Sequence, residues 1–83
     1  MKPHADAVLD LRGTILPIAM LQFTKVFGEM KPGSIMEVLV GDQETKINLF
    51  NVLKAYPYEL LELTESETVY RVSLKKGTKM SRI

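Results

Sequence analysis

The sequence predicts an α/β (α+β) two-layer sandwich of order βαβαββ, a four-stranded mixed sheet with two helices on one face. Three observations predict it. Two segments, beginning near Pro17 and Gln43, repeat apolar residues at steps of three and four, the period of a half-buried helix. Four shorter runs are apolar at alternate positions or throughout, as strands are. The last two runs are joined by a few residues and so form an antiparallel hairpin, whereas a helix bridges each earlier pair. Crossovers between parallel strands are right-handed, which puts both helices on the same face and leaves the other face bare.

Residues 1–5 contain Pro3 and read as an unpaired lead-in. Ala7, Leu9 and Leu11 alternate with other residues in a first strand, after which Gly13 and Thr14 turn the chain. Pro17 then opens a helix to about residue 30, because proline lacks only an N–H that the first helical turn leaves unpaired anyway. Leu16 accordingly falls at the helix cap, where the positive end of the helix dipole is concentrated. Met20, Phe23, Phe27 and Met30 recur on one face with Leu21 beside them as core, while Gln22, Lys25 and Glu29 take the wetter side. Gly28 weakens the last turn by roughly 1 kcal/mol relative to alanine, and Lys31-Pro32-Gly33 ends the helix.

Residues 35–40 are apolar on both parities except at Glu37, the mark of a central strand. Asp42 is a suitable cap for a second helix from Gln43 to about residue 55. Ile47, Phe50 and Leu53 supply its buried face with Leu49 and Val52, and Tyr56-Pro57 stops it. Residues 58–64 and 68–75 form the hairpin, with Tyr70, Val72 and Leu74 as the core parity of its second strand. Leu39 and Leu61 are expected on the bare sheet face among Glu37 and Glu59, a candidate docking patch.

The chain of 83 residues reads as one domain over 1–83, with a structured core at about 6–76 and a basic tail at 77–83. A domain of this size buries only roughly 60% of its unfolded surface, so its stability is modest. There is no cysteine, which excludes disulfides, thiolate metal sites and a cysteine nucleophile. No leader and no apolar run near membrane-spanning length is present, so a cytoplasmic protein with no membrane partner is expected. The net charge of +1 is uneven: Lys75, Lys76, Lys79 and Arg82 are basic, and residues 1–74 hold seven positive against ten negative groups. A short basic end without interleaved aromatics is a weak basis for nucleic-acid binding.

Candidate chemistry is sparse. His4 is the single histidine and has no second ligand or partner base. Asp6 and Asp10 share a strand face and could pair as carboxylates, but solubilising strand residues are commoner. Glu62, Glu65 and Glu67 read as a solvated hairpin tip. The serines lack a base, Gly13 and Gly33 are isolated rather than a phosphate loop, and the five methionines read as core filler. No cofactor, no metal and no enzymatic activity follow from these residues.

Leu9-Asp10-Leu11-Arg12-Gly13 and the helix opened by Pro17 resemble the TusA/SirA family of small sulfur-carrier proteins. The likeness continues through Lys25, Lys31-Pro32-Gly33, Met36-Glu37-Val38-Leu39, Asp42, Ile47, Glu59-Leu60-Leu61 and Tyr70-Arg71-Val72, over about residues 8–76. The resemblance implies the same βαβαββ sandwich, and a Cys-Pro-x-Pro signature at the start of the first helix whose cysteine carries sulfur as a persulfide. In this chain Leu16 stands at the cysteine position, Pro17 keeps the first proline and Ala19 replaces the second. Lys46 stands where the family often has aspartate, and Gln43 where it has proline. Leucine has no nucleophile and no lone pair, so persulfide carriage by the family's mechanism is excluded.

Four readings follow. The first is a non-catalytic relative that binds a sulfur-relay protein or an active paralogue through a surface around Arg12, Gly13, Leu16 and Pro17, with Leu16 as apolar anchor. The second is a small-anion or small-ligand binder using the N–H groups of Ile18 and Ala19 with Arg12 nearby. The third is an RNA-binding module using the basic tail, which the acidic body disfavours. Against all three, Leu16 could simply fold inward and close the core.

Overall fold

A computed structural model of the chain describes residues 5–77. His4 and the tail residues Lys79 and Arg82 lie outside the described residues. The elements are β1 (Ala7–Asp10), α1 (Leu16–Glu29), β2 (Ile35–Val40), α2 (Gln43–Leu53), β3 (Tyr58–Glu65) and β4 (Tyr70–Lys76). They form the expected βαβαββ fold around a mixed sheet of order β1-β2-β4-β3. β1 runs parallel to β2, and β4 is antiparallel to both β2 and β3.

Strand parity sets the two faces. Met36, Val38 and Val40 of β2 and Val72 and Leu74 of β4 are fully buried, with Leu9 and Leu11 beside them. Ala19, Phe23 and Phe27 of α1 and Leu49 and Leu53 of α2 close the same cluster, so both helices cover one face. Phe23 and Phe27 stack with centroids 5.1 Å apart, and Tyr56 meets Phe27 edge-on at 5.7 Å. The opposite face carries Val8, Asp10, Glu37, Leu39, Arg71 and Ser73. Arg71 Nε lies 2.7 Å from Glu37 Oε2 there, an ion pair whose N–H is not aligned for a hydrogen bond.

Several boundaries and burials differ from the sequence reading. α1 starts one residue earlier, with Ile15 rather than Leu16 at its cap, and ends at Glu29. α2 ends at Leu53 rather than near 55, and β4 starts at Tyr70 rather than 68. Leu21, expected in the core, is 67% exposed because it lies two positions from Phe23 and so on the far side of the helix. Ile47, also expected in the core, is 50% exposed; Thr45 takes the buried position instead. Asp42 is the α2 cap residue, but its side chain makes no capping hydrogen bond. On the bare face Leu39 is half-buried, while Leu61 falls at a register shift between Leu60 and Glu62 and has no partner of its own. Asp6 and Asp10 do not pair: Asp6 Oδ2 accepts from the Ile35 N–H at 2.9 Å, and Asp10 binds Arg12.

Candidate functional site

Because β1 and β2 are parallel, their C-terminal ends lie side by side, and the helices that follow both begin at that end of the sheet. This is where open α/β sheets expose their sites. The Thr14 N–H donates to the Leu11 carbonyl at 3.2 Å, closing a turn whose third residue needs positive φ. Gly13 supplies it at φ +77°. Five residues, 11–15, carry the chain through this turn from the end of β1 to the first residue of α1.

Ile15 caps α1 with extended backbone and no side-chain hydrogen bond. An apolar cap is about 1 kcal/mol poorer than Ser, Thr or Asp. Ile15 is also 69% exposed, so the missing cap is not offset by burial. Pro17 occupies the second helical position and brings no N–H. The Ala19 N–H donates to the Ile15 carbonyl at 2.9 Å, which makes it the first bonded rung of the helix rather than a free donor. Its side chain is fully buried. Among the described residues Ile18 N–H has no backbone acceptor, so the helix start offers an anion only the N–H groups of Leu16 and Ile18.

Leu16 is half-buried, neither folded into the core nor presented outward. It lines a shallow cavity of about 410 Å³ between the starts of the two helices, together with Ile15, Gly13, Asp42 and Glu44. Arg12 does not line it. Its Nε and Nη2 donate to Asp10 Oδ1 and Oδ2 at 2.9 and 2.8 Å, and its backbone N–H donates to Oδ1 at 3.0 Å. This fork holds the guanidinium on the bare-face side of β1 and keeps the Asp10 carboxyl at about 2, below its ordinary 3.8, chiefly through the side-chain hydrogen bonds and then the backbone one. Arg12 is raised in turn by the same partner.

The structure thus brings Gly13 and Leu16 into one cavity, leaves Pro17 and Ile18 on the exposed surface beside it, and removes Arg12 and the Ala19 N–H from use. Carboxylates of Asp42 and Glu44 replace the expected positive group, which disfavours a bound anion. No group of three or more metal-capable side chains occurs among the described residues. Sequence reasoning missed Ile15 and Leu21. With Ile18 they form an exposed apolar stripe along the first two turns of α1, at 69%, 42% and 67% exposure for Ile15, Ile18 and Leu21. The signal was an isoleucine where a polar cap belongs, immediately before Leu16-Pro17.

Of the two C-terminal basic residues that the structure reaches, Lys75 is exposed and Lys76 is committed elsewhere. Lys76 Nζ donates to carbonyls at the end of α1. No helix among the described residues is long and apolar enough to cross a membrane.

Comparison with known proteins places these features. The family model described as "Sulfurtransferase TusA" matches residues 7–76. The chain is 30% identical over 73 residues to "Putative sulfur carrier protein YrkI" of Bacillus subtilis, covering 88% of this chain and 97% of that one. It is 28% identical over 69 residues to a "Putative sulfur carrier protein" of Archaeoglobus fulgidus, covering 83% and 94%. The crystal structure of a SirA-like protein from Desulfitobacterium hafniense superposes with a TM-score of 0.67 at 25% identity, over 87% of this chain and 99% of that one.

Proposed function

The chain belongs to the TusA sulfurtransferase family, and from that premise we propose that it is a non-catalytic member acting by protein contact. In this reading it binds or regulates a sulfur-relay protein or a cysteine-bearing paralogue in the cytoplasm. A persulfide requires a thiol sulfur, and the chain has no cysteine; methionine sulfur already carries two carbon bonds and cannot take the role. Leu16 puts a hydrocarbon where the family's signature has its reacting atom.

One observation carries the reading. The start of α1 exposes Ile15, Ile18 and Leu21 while giving up a side-chain cap, a local sacrifice that nothing in the fold repays. Large apolar side chains clustered at a rigid helix start are suited to anchoring a partner. Their place at the start of α1, just after the Arg12–Gly13 turn and around the position of the family's cysteine, supports a relay protein as that partner.

The test is affinity capture with the intact protein as bait, comparing wild type with Ile18→Asp and Leu16→Asp. Ile18 lies outside the buried core and is 42% exposed, so its substitution disturbs packing far less than one at Ala19 or Phe23. Wild type should retain a sulfurtransferase or a cysteine-bearing relative, and both variants should lose it. Identical recoveries from all three baits would sink the reading.

A further inference from the structure

β3 is an edge strand, the longest in the sheet, and its outer side has no strand beside it among the described residues. Two hydrogen bonds set which of its main-chain groups point outward. Ser66 N–H donates to Val69 O at 2.9 Å, and Gly77 N–H donates to Pro57 O at 2.9 Å. Counting inward from each along the β3–β4 register, Thr64 and Glu59 face β4, so Tyr58, Leu60, Leu63 and Glu65 turn their N–H and C=O to the open edge.

The side chains of the same positions lie on the helix-covered side, and those of Tyr58, Leu60 and Leu63 are only partly covered there. Tyr58, Leu60 and Leu63 are 37%, 44% and 39% exposed. The flank of α2 bearing Lys46 overhangs the far end of this strand, as its 3.2 Å contact with Glu65 shows. An apolar gutter therefore runs along one side of the free edge. The other side presents Glu59 and Glu62, and no cation among the described residues lies within ion-pair distance of either.

We propose that the free edge of β3 is a strand-addition site for an extended segment of a partner protein in which apolar residues alternate with Lys or Arg. An added strand places successive side chains on opposite faces, so one set would enter the gutter against Leu60 and Leu63 and the other would meet Glu59 and Glu62. The glutamates also select the occupant. A second copy of β3 pairing antiparallel would set carboxylate against carboxylate, which is unfavourable across strands. The shift at Leu61 divides the edge into two short registers, a further guard against indiscriminate pairing. This surface is separate from the α1 start and does not depend on the reading of that site.

The experiment is an NMR titration of the isotope-labelled full chain with two capped heptapeptides, one alternating Lys with Val and the other Glu with Val. The Lys–Val peptide should shift the amides of Tyr58, Leu60, Leu63 and Glu65 and slow their hydrogen exchange, and added salt should weaken the effect. The double variant Glu59→Lys, Glu62→Lys should reverse the preference between peptides. Unmoved amides, or equal responses to both peptides, would overturn the proposal. So would shifts at these amides that grow with protein concentration alone, which identify a second copy, or that follow deletion of residues 78–83, which identify the chain's own tail.

Discussion

The Nζ of Lys76 lies 2.6 Å from the carbonyl oxygen of Phe27 and 3.0 Å from that of Met30, so the last residue of β4 closes the C-terminal end of α1. The same ammonium sits 5.1 Å from the centre of the Phe27 ring. A helix leaves its last carbonyls unpaired and carries partial negative charge there, and α1 has no basic residue in its own last turn. Lys76→Met keeps the stem and removes the donor. It should lower unfolding free energy by about 1–2 kcal/mol in urea melts, with the loss largest at the end of α1 by hydrogen exchange.

Two apolar residues of α1, two positions apart, should respond very differently to truncation. Phe23→Ala opens a fully buried site against Phe27 and should cost about 3–5 kcal/mol. Leu21→Ala, on the outer face, should change stability by no more than about 0.5 kcal/mol. Equal effects in thermal or urea unfolding would mean that the helix is rotated about its axis relative to this structure.

That contrast marks how far the sequence could be read. Strand and helix identity were legible because apolar residues at steps of two and of three to four leave few alternatives, and a short link after two helical crossovers dictates the hairpin. The facing stripe was harder. α1 carries two apolar stripes, one through Phe23 and one through Ile18 and Leu21, and only docking against the sheet selects between them. Ile47 was misjudged for the same reason, since Thr45 takes the buried place through tertiary packing. At the candidate site, Gly13 and Pro17 were legible from their backbone chemistry. The start of α1 was not, because proline suits the first and second helical positions alike and no polar cap marks the boundary. A single-residue shift there moved the cap to Ile15 and turned the Ala19 N–H from a free donor into a bonded one.

The Arg12–Asp10 fork should be visible in a titration. A carboxyl shift followed by NMR should place Asp10 at about 2, and Arg12→Gln should return it toward 3.8. The folded value is the depressed one, so the pair's contribution is complete above about 3.8 and fades as pH falls through about 2. Near neutral pH the wild type should therefore show no stability change with pH from this pair.

A cysteine grafted at the family position probes the field of the helix start. In Leu16→Cys the first-turn dipole favours thiolate, while Asp42 and Glu44 around the same cavity oppose it. The alkylation rate of the grafted thiol should have its midpoint below the free value of about 8.5. Adding Asp42→Asn should lower the midpoint further. A midpoint above the free value would mean that burial at this half-buried position outweighs the helix.

Leu16 also has a consequence for time rather than space. A loop built around a thiol passes through several covalent forms as it is loaded, emptied, oxidised or protonated, and its contacts change with each. The segment from Arg12 to Ile18 contains no atom that oxidants or sulfane donors convert under mild conditions, and no group that titrates near neutrality. Its contact surface has one covalent form throughout the cell's redox range. Under the proposed function, a partner's occupancy of that surface would be governed by concentration and affinity alone, a constant term beside partners whose chemical state fluctuates.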